Sequence, residues 1–414
     1  MSENQLVKAL AVVVGGTTIA QILNFLMQPF VTRLYTPAQF GMFGMFSSGV
    51  SILLIIVTLS YEESVIVAEN TECAQKLFFG TIFVVLIATV MIAMTVFAGK
   101  NLIVSVLHVK DGKWLYFLPI SAGIYGIYNL LVAYNYRLEM HRDIAVSAIV
   151  RTFALGMMQC ALAFCGMGYL GLVIGYVLSL FFGCASLAKN LIHSNIRKAN
   201  IVLRDISREM MQYKRFPLYQ LPANFINHFT SEISVFAIGI LYTADTLGIY
   251  ALVNRVLSMP ISMISEVLRQ LIMRKLSLHD MDLRQSRLYM YKLVMVIAII
   301  WIIPLAVLLL WGEAIFVLVF GSAWQGIGKF IRVMAGLYCI RFIVYPLTGI
   351  AVVNQKQKKL LGFQILQMTG VIVCSVLAYA FQFSVFYYLM IQSITLSVIY
   401  VLQGITCIRI LGRK

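Results

Sequence analysis

The chain has 414 residues, 61% of them hydrophobic and 12% charged, with a net charge of +16 and a mean hydropathy of +0.90. Soluble domains are about half apolar and about a quarter charged, so composition excludes an ordinary soluble enzyme. The apolar excess falls in blocks of about 20 residues, the length that crosses a hydrocarbon core of roughly 30 Å. The fold class that follows is an all-α polytopic membrane protein.

In chain order, spans are predicted near 9–32, 41–61, 77–98, 114–136, 144–165 and 168–188. After a basic stretch come spans near 218–240, 248–269, 289–311, 330–352, 360–381 and 384–407. The first span carries Thr17, Gln21, Asn24 and Gln28 at i, i+4, i+7 and i+11, a polar stripe on one helix face. It leads into Leu34-Tyr35-Thr36-Pro37-Ala38-Gln39-Phe40-Gly41-Met42-Phe43, which returns as Leu241-Tyr242-Thr243-Ala244-Asp245-Thr246-Leu247-Gly248-Ile249-Tyr250. The same register pairs Thr17 with Asn224, Gln21 with His228 and Asn24 with Ser231. Two homologous halves explain this: a six-helix lobe over 1–188, a cytoplasmic basic linker over 189–217 and a second six-helix lobe over 218–414. About 12 transmembrane helices are therefore expected, in two pseudo-symmetric lobes around a central cavity. An even number of spans per half gives both halves one orientation, with the symmetry axis along the membrane normal.

Lys and Arg set the topology. With the N-terminus inside, the cytoplasmic linker alone holds Lys189, Arg197, Lys198, Arg204, Arg208, Lys214 and Arg215, and the tail adds Arg409, Arg413 and Lys414. The opposite side holds only Arg33, Lys100, Lys110, Lys113 and Lys329. Both termini are expected in the cytoplasm, at a bacterial inner membrane, and the basic loops meet anionic lipid rather than nucleic acid. The start, Met1-Ser-Glu-Asn-Gln, lacks the cationic region and cleavage site of a signal peptide. The seven cysteines form no C-x-x-C pair and read as small apolar packers, not metal ligands.

No phosphate-binding G-x-x-x-x-G-K-[ST] loop, HExxH or G-x-S-x-G occurs. The external stretches near 99–113 and 312–329 offer only Asp111 and Glu313 as acids. An enzyme and a bound cofactor are therefore not expected.

Charges inside spans are costly and mark protein interiors or wet cavities. Arg151, Arg255 and Arg341 lie well inside predicted spans, against a single deep carboxylate, Glu232. The arginines could pair with a carboxylate or with carbonyls to hold helices together. They could instead form a cationic cavity that donates bidentate bonds to an anionic, phosphate-bearing substrate. The imbalance of charge favours the second reading. Glu232 follows His228 by one helical turn, so the two could carry H+ or Na+ coupling; Glu232 could equally be a counter-ion to Arg255 or Arg341. Glu266 and Arg269, three residues apart, read as an interfacial salt bridge, and Glu62 and Glu63 read as solvated, with guarding of the cytoplasmic mouth as the alternative. Gln21, Asn24, Tyr125, Tyr128, Asn129, Gln364 and Gln367 suit sugar hydroxyls, although such residues also join ordinary membrane helices. Pro29, Pro260, Pro304 and Pro346 are expected to bend their spans.

The stretch Arg33-Leu34-Tyr35-Thr36-Pro37-Ala38-Gln39-Phe40-Gly41, the Tyr61-Glu62-Glu63 closing the second span, and Ala251-Leu-Val-Asn-Arg255-Val-Leu-Ser-Met-Pro260 resemble bacterial O-antigen flippases of the Wzx type. The layout is similar to the wider multidrug, oligosaccharidyl-lipid and polysaccharide exporter superfamily. That resemblance implies two six-helix lobes forming an electropositive cavity, and export of a polyprenyl-pyrophosphate-linked oligosaccharide by alternating access. It implies a substrate-binding role for Arg255. Arg151, Arg341, Gln21, Asn24 and Asn129 join that set on physical grounds alone. A cation-coupled small-molecule exporter on the same fold is the alternative, and it would favour acidic cavity residues. Lipid II flippases of the superfamily usually carry two further C-terminal spans, which are not expected from this sequence, and that speaks against a cell-wall precursor as cargo. Membrane lipids and the polysaccharide polymerase machinery are the other expected partners.

Overall fold

Within hydrocarbon every backbone N–H must find its acceptor inside its own segment, so long apolar blocks become helices. The computed structural model describes residues 3–106, 112–193, 203–277 and 283–410, and all regular structure there is helical. Lys110 and Asp111, Arg197 and Lys198 of the expected linker, and Arg413 and Lys414 of the tail lie outside the described residues.

The helices of the first half are α1 (Glu3–Leu34), α2 (Pro37–Thr58), α3 (Tyr61–Val67), α4 (Thr71–Val106), α5 (Phe117–Arg137), α6 (His141–Phe164), α7 (Tyr169–His193) and α8 (Leu203–Gln212). Those of the second are α9 (Leu221–Leu241), α10 (Ala244–Pro260), α11 (Glu266–Ser277), α12 (Leu283–Phe320), α13 (Ile327–Val344), α14 (Thr348–Val353), α15 (Gln357–Ala380) and α16 (Val385–Ile410). Among the described residues, 10 helical stretches are long and apolar enough to cross a membrane, matching ten of the twelve expected spans. The other two expected spans are α1 and α9. In α9 the run Asn224, Asn227, His228, Ser231 and Glu232 dilutes the apolar character.

Two spans are broken where proline removes a backbone donor. α10 ends at Pro260 and passes through a wide π turn, Ile261–Ser265, into α11. α13 passes through a tight 3-10 turn, Tyr345–Leu347, which contains Pro346, into α14. Pro29 and Pro304 lie inside α1 and α12 without interrupting them.

The chain divides into two compact units, one of Met1–Tyr35 with Met42–Glu232, the other of Thr36–Gly41 with Ile233–Lys414. In the first, α1 packs on α6, α6 on α7, and α5 on both α4 and α7. Small residues allow the close approach: a Cβ on Gly16 would overlap Ala145, and one on Gly156 would come 2.7 Å from the Met27 methyl. Asn190 donates to Asn135 at 2.6 Å and Ser147 to the Gly183 carbonyl at 3.0 Å, so polar side chains are satisfied between helices. In the second unit α13 packs against α10, α12 and α16, and α15 against α16. There Trp301 stacks on Phe342 at 4.5 Å, and Gln367 donates to Gln403 at 3.1 Å. Large apolar side chains such as Phe97, Ile303, Leu310 and Leu318 stay exposed, as lipid-facing positions do.

The two copies of the repeated segment play matching parts. Tyr35 donates its hydroxyl to the Gln159 carbonyl at 2.7 Å, and Tyr242 donates to the Phe383 carbonyl at 3.1 Å. Thr36 accepts from Gln39 N at the start of α2, and Thr243 accepts from Thr246 N at the start of α10. Gly41 and Gly248 lie where those two helix starts cross.

Candidate functional site

Each unit holds an arginine inside a membrane span, set among tyrosines. In the first unit Arg151 projects from α6 over two rings of α5, its guanidinium carbon 4.6 Å from the Tyr125 centroid and 4.9 Å from that of Tyr128. Tyr176 of α7 packs edge-on against Tyr125 at 6.5 Å and against Phe46 of α2 at 5.8 Å, which closes the aromatic wall. In the second unit Arg341 of α13 lies 5.9 Å from the Tyr338 ring, with Tyr250, Tyr345 and Tyr400 as its other polar neighbours. Among the described residues no carboxylate forms a salt bridge with Arg151 or Arg341.

That arrangement has a chemical consequence. A ring face attracts a cation through its quadrupole and contributes about 0.5–2 kcal/mol, without cancelling the charge. A tyrosine hydroxyl can take one guanidinium N–H, as Tyr125 does from Arg151, and the other N–H donors suit a bidentate oxyanion such as phosphate. A carboxylate partner would have consumed both the charge and the donors.

Arg255 is half-buried on α10. Its neighbour Asn254 accepts a short hydrogen bond from the Tyr338 hydroxyl, which links α10 to the Arg341 cluster. Glu266 of α11 is held by Arg269 in a two-pronged salt bridge of 2.6 and 2.8 Å, and by the Tyr345 hydroxyl at 3.0 Å.

Of the polar stripe, Gln21 and Asn24 are half-buried on α1, and the Gln21 side-chain oxygen is enclosed without a hydrogen-bond partner. Asn129 is half-buried on α5, next to Tyr128. Glu232 accepts a 2.5 Å hydrogen bond from Ser48 of α2. His228, one turn earlier on α9, is half-buried, and among the described residues no hydrogen bond joins it to Glu232. Among those residues no group of three or more His, Cys, Asp or Glu could hold a metal ion.

The expectation that Glu62 and Glu63 are solvated is corrected. After α2 the chain turns at Leu59 and Ser60, both in the left-handed region (φ 49° and 58°), and enters α3. α3 packs into the core formed by Val65, Leu77, Phe78 and Leu131. The turn carries both acids inward: Asn224 donates to Glu63 at 3.0 Å, and one Glu62 oxygen is enclosed without a partner. Burial pushes the Glu62 carboxyl above the ordinary carboxylate range, and the Glu63 charge adds to the shift, against a bond from Thr58. A raised folded-state value means that the fold favours the protonated acid. This contribution is fully present below the unfolded value near 4.5 and is lost as pH rises through the folded one. Glu62→Gln is therefore expected to raise the thermal midpoint above wild type at pH 8, with the gain shrinking toward pH 5. An equal gain at both values would remove Glu62 as its source.

Five partners escaped sequence reasoning: Ser48, which holds Glu232, and the tyrosines Tyr176, Tyr338, Tyr345 and Tyr400. One tyrosine inside a span adjacent to an arginine span was the available signal.

The helical fold is similar to that of several solved transporters. Solved structures similar to this chain include the lipid II flippase MurJ in an inward closed conformation (TM-score 0.77, 11% identity, covering 95% of this chain and 86% of that one). An inward-facing multidrug resistance MATE family transporter of the MOP superfamily is also similar (TM-score 0.68, 14% identity, covering 95% and 96%). A third is a MOP superfamily transporter from Pyrococcus furiosus (TM-score 0.64, 14% identity, covering 98% and 97%). At these identities the likeness establishes the fold. The family described as "Polysaccharide biosynthesis protein" matches residues 30–329, and the chain belongs to that family. No curated protein matches it significantly.

Proposed function

We propose that the protein is a flippase that carries a polyprenyl-pyrophosphate-linked oligosaccharide, an O-antigen or capsule repeat unit, from the cytoplasmic to the outer leaflet by alternating access. The observation that carries this reading is the pair of span arginines, Arg151 and Arg341, held by tyrosine faces and left without carboxylate partners. Membership of a polysaccharide biosynthesis family supports a glycan cargo. In this reading Arg151, Arg255 and Arg341 take the pyrophosphate, while Gln21, Asn24 and Asn129 meet sugar hydroxyls. Glu232 and His228 serve H+ or Na+ coupling. The working lobes are 1–188 and 218–414, joined by the cytoplasmic linker 189–217. The chain sits in the bacterial inner membrane with both termini cytoplasmic, beside the polysaccharide polymerase machinery.

A strain lacking the gene tests it. The expected result is loss of surface polysaccharide, with lipid-linked repeat units accumulating at the cytoplasmic leaflet. Unchanged glycans with altered tolerance to toxic cations would overturn the reading in favour of a small-molecule exporter.

A further inference from the structure

A cavity of about 730 Å³ opens at one end of the first unit, lined by Val12 of α1, Glu139 and Met140 of the α5–α6 turn, His141, Arg142, Asp143 and Val146 of α6, and Lys189 of α7. Its size falls in the ~300–1,000 Å³ range of small-molecule sites. Three apolar helices long enough to span a membrane, Lys113–Arg137, His141–Phe164 and Tyr169–Leu191, begin or end here. The cavity therefore lies at headgroup depth.

Its walls are of two kinds. Val12, Met140 and Val146 are exposed apolar side chains, suited to the glycerol and first acyl carbons of a lipid. The charged groups face the same space but are not all paired. Lys189 and Asp143 form a salt bridge at 3.1 Å, and Asn190 adds a 3.0 Å bond to Asp143, so that couple is already matched. Glu139 and Arg142 are different. Glu139 sits in the left-handed region (φ 59°), and among the described residues neither it nor Arg142 forms a salt bridge.

An exposed carboxylate and an exposed guanidinium, neither in a salt bridge among the described residues, line one cavity at headgroup depth and complement a ligand that carries both charges. We infer that this cavity binds a phospholipid with a phosphoethanolamine headgroup, its phosphate on Arg142 and its ammonium on Glu139. A choline headgroup has no N–H to donate to Glu139. An anionic glycerol headgroup would leave that carboxylate facing like charge. The inference stands apart from the transport reading.

The test is native mass spectrometry of the purified full chain with phosphatidylethanolamine, phosphatidylcholine and phosphatidylglycerol, alongside soluble phosphoethanolamine. Phosphatidylethanolamine is expected to be retained about tenfold better than phosphatidylcholine, the scale of one charge-assisted hydrogen bond. Arg142→Gln should abolish that preference. Glu139→Gln should instead turn it toward phosphatidylglycerol, a reversal that general misfolding does not produce. Equal retention of all three lipids by wild type, or an unchanged preference in both variants, would overturn the inference. Binding of soluble phosphoethanolamine as tight as that of the lipid would reassign the cavity to a free headgroup and overturn the lipid part.

Discussion

Alanine in place of Arg151 or Arg341 is expected to lower transport about a hundredfold while the protein still inserts and purifies as wild type. Each guanidinium lies against tyrosine faces rather than in a salt bridge with an acid, and in the proposed reading it meets the substrate. Removing a bidentate, charge-assisted contact with phosphate costs about 3 kcal/mol of binding, which sets that hundredfold scale. The structural cost is smaller, about 1–2 kcal/mol for the lost ring contacts, because no buried carboxylate is stranded. The two contributions separate in Arg→Lys variants. Lysine keeps the charge and can still sit over a ring, so stability should return, but the planar fork is lost and transport should recover only in part. Complementation of a deletion strain gives the transport readout, and thermal melting in detergent gives the stability. If alanine variants lose fold and transport together, and lysine restores both fully, the arginines are structural.

The sequence carried the class of protein far because bilayer physics is written in local composition. Span lengths, the two opening helices with wet faces, and the repeat need no knowledge of packing. What escaped depends on contacts between helices that periodicity does not encode. Ser48 is one of several small polar residues in α2, and nothing local marks it as the partner of Glu232. The tyrosine setting of Arg341 draws on α10, α13 and α16 at once. Glu62 was misplaced because the turn that buries it uses left-handed Leu59 and Ser60, neither of them glycine, so the usual sequence mark of such a turn is missing. Likewise the π turn after Pro260 separates α10 from α11 at a proline that the sequence could flag only as a bend.

The repeated glycines make the largest structural prediction. A Cβ built on Gly41 would overlap the Ala244 carbonyl oxygen and stand 2.9 Å from Gly248 N, and one on Gly248 would overlap the Pro37 carbonyl oxygen and stand 2.5 Å from its carbon. Backbone meets backbone at both positions, so no side chain can swing aside to relieve the overlap. Gly41→Ala and Gly248→Ala should each destabilise by about 1–3 kcal/mol, the range for overpacking. Because both methyls enter one crossing, the helices need separate only once. The double variant should therefore cost less than the sum of the singles, with a coupling of about 1 kcal/mol or more. Gly336 of α13 and Gly362 of α15 supply the control, since nothing lies within 4 Å of a Cβ at either. Alanine there should be neutral or stabilise by about 0.5–1 kcal/mol, through helix propensity alone. Thermal melting of all five variants decides the matter. If Gly41→Ala and Gly248→Ala melt like the controls, the two helix starts do not cross at these glycines, and the matched register of the repeat has another cause.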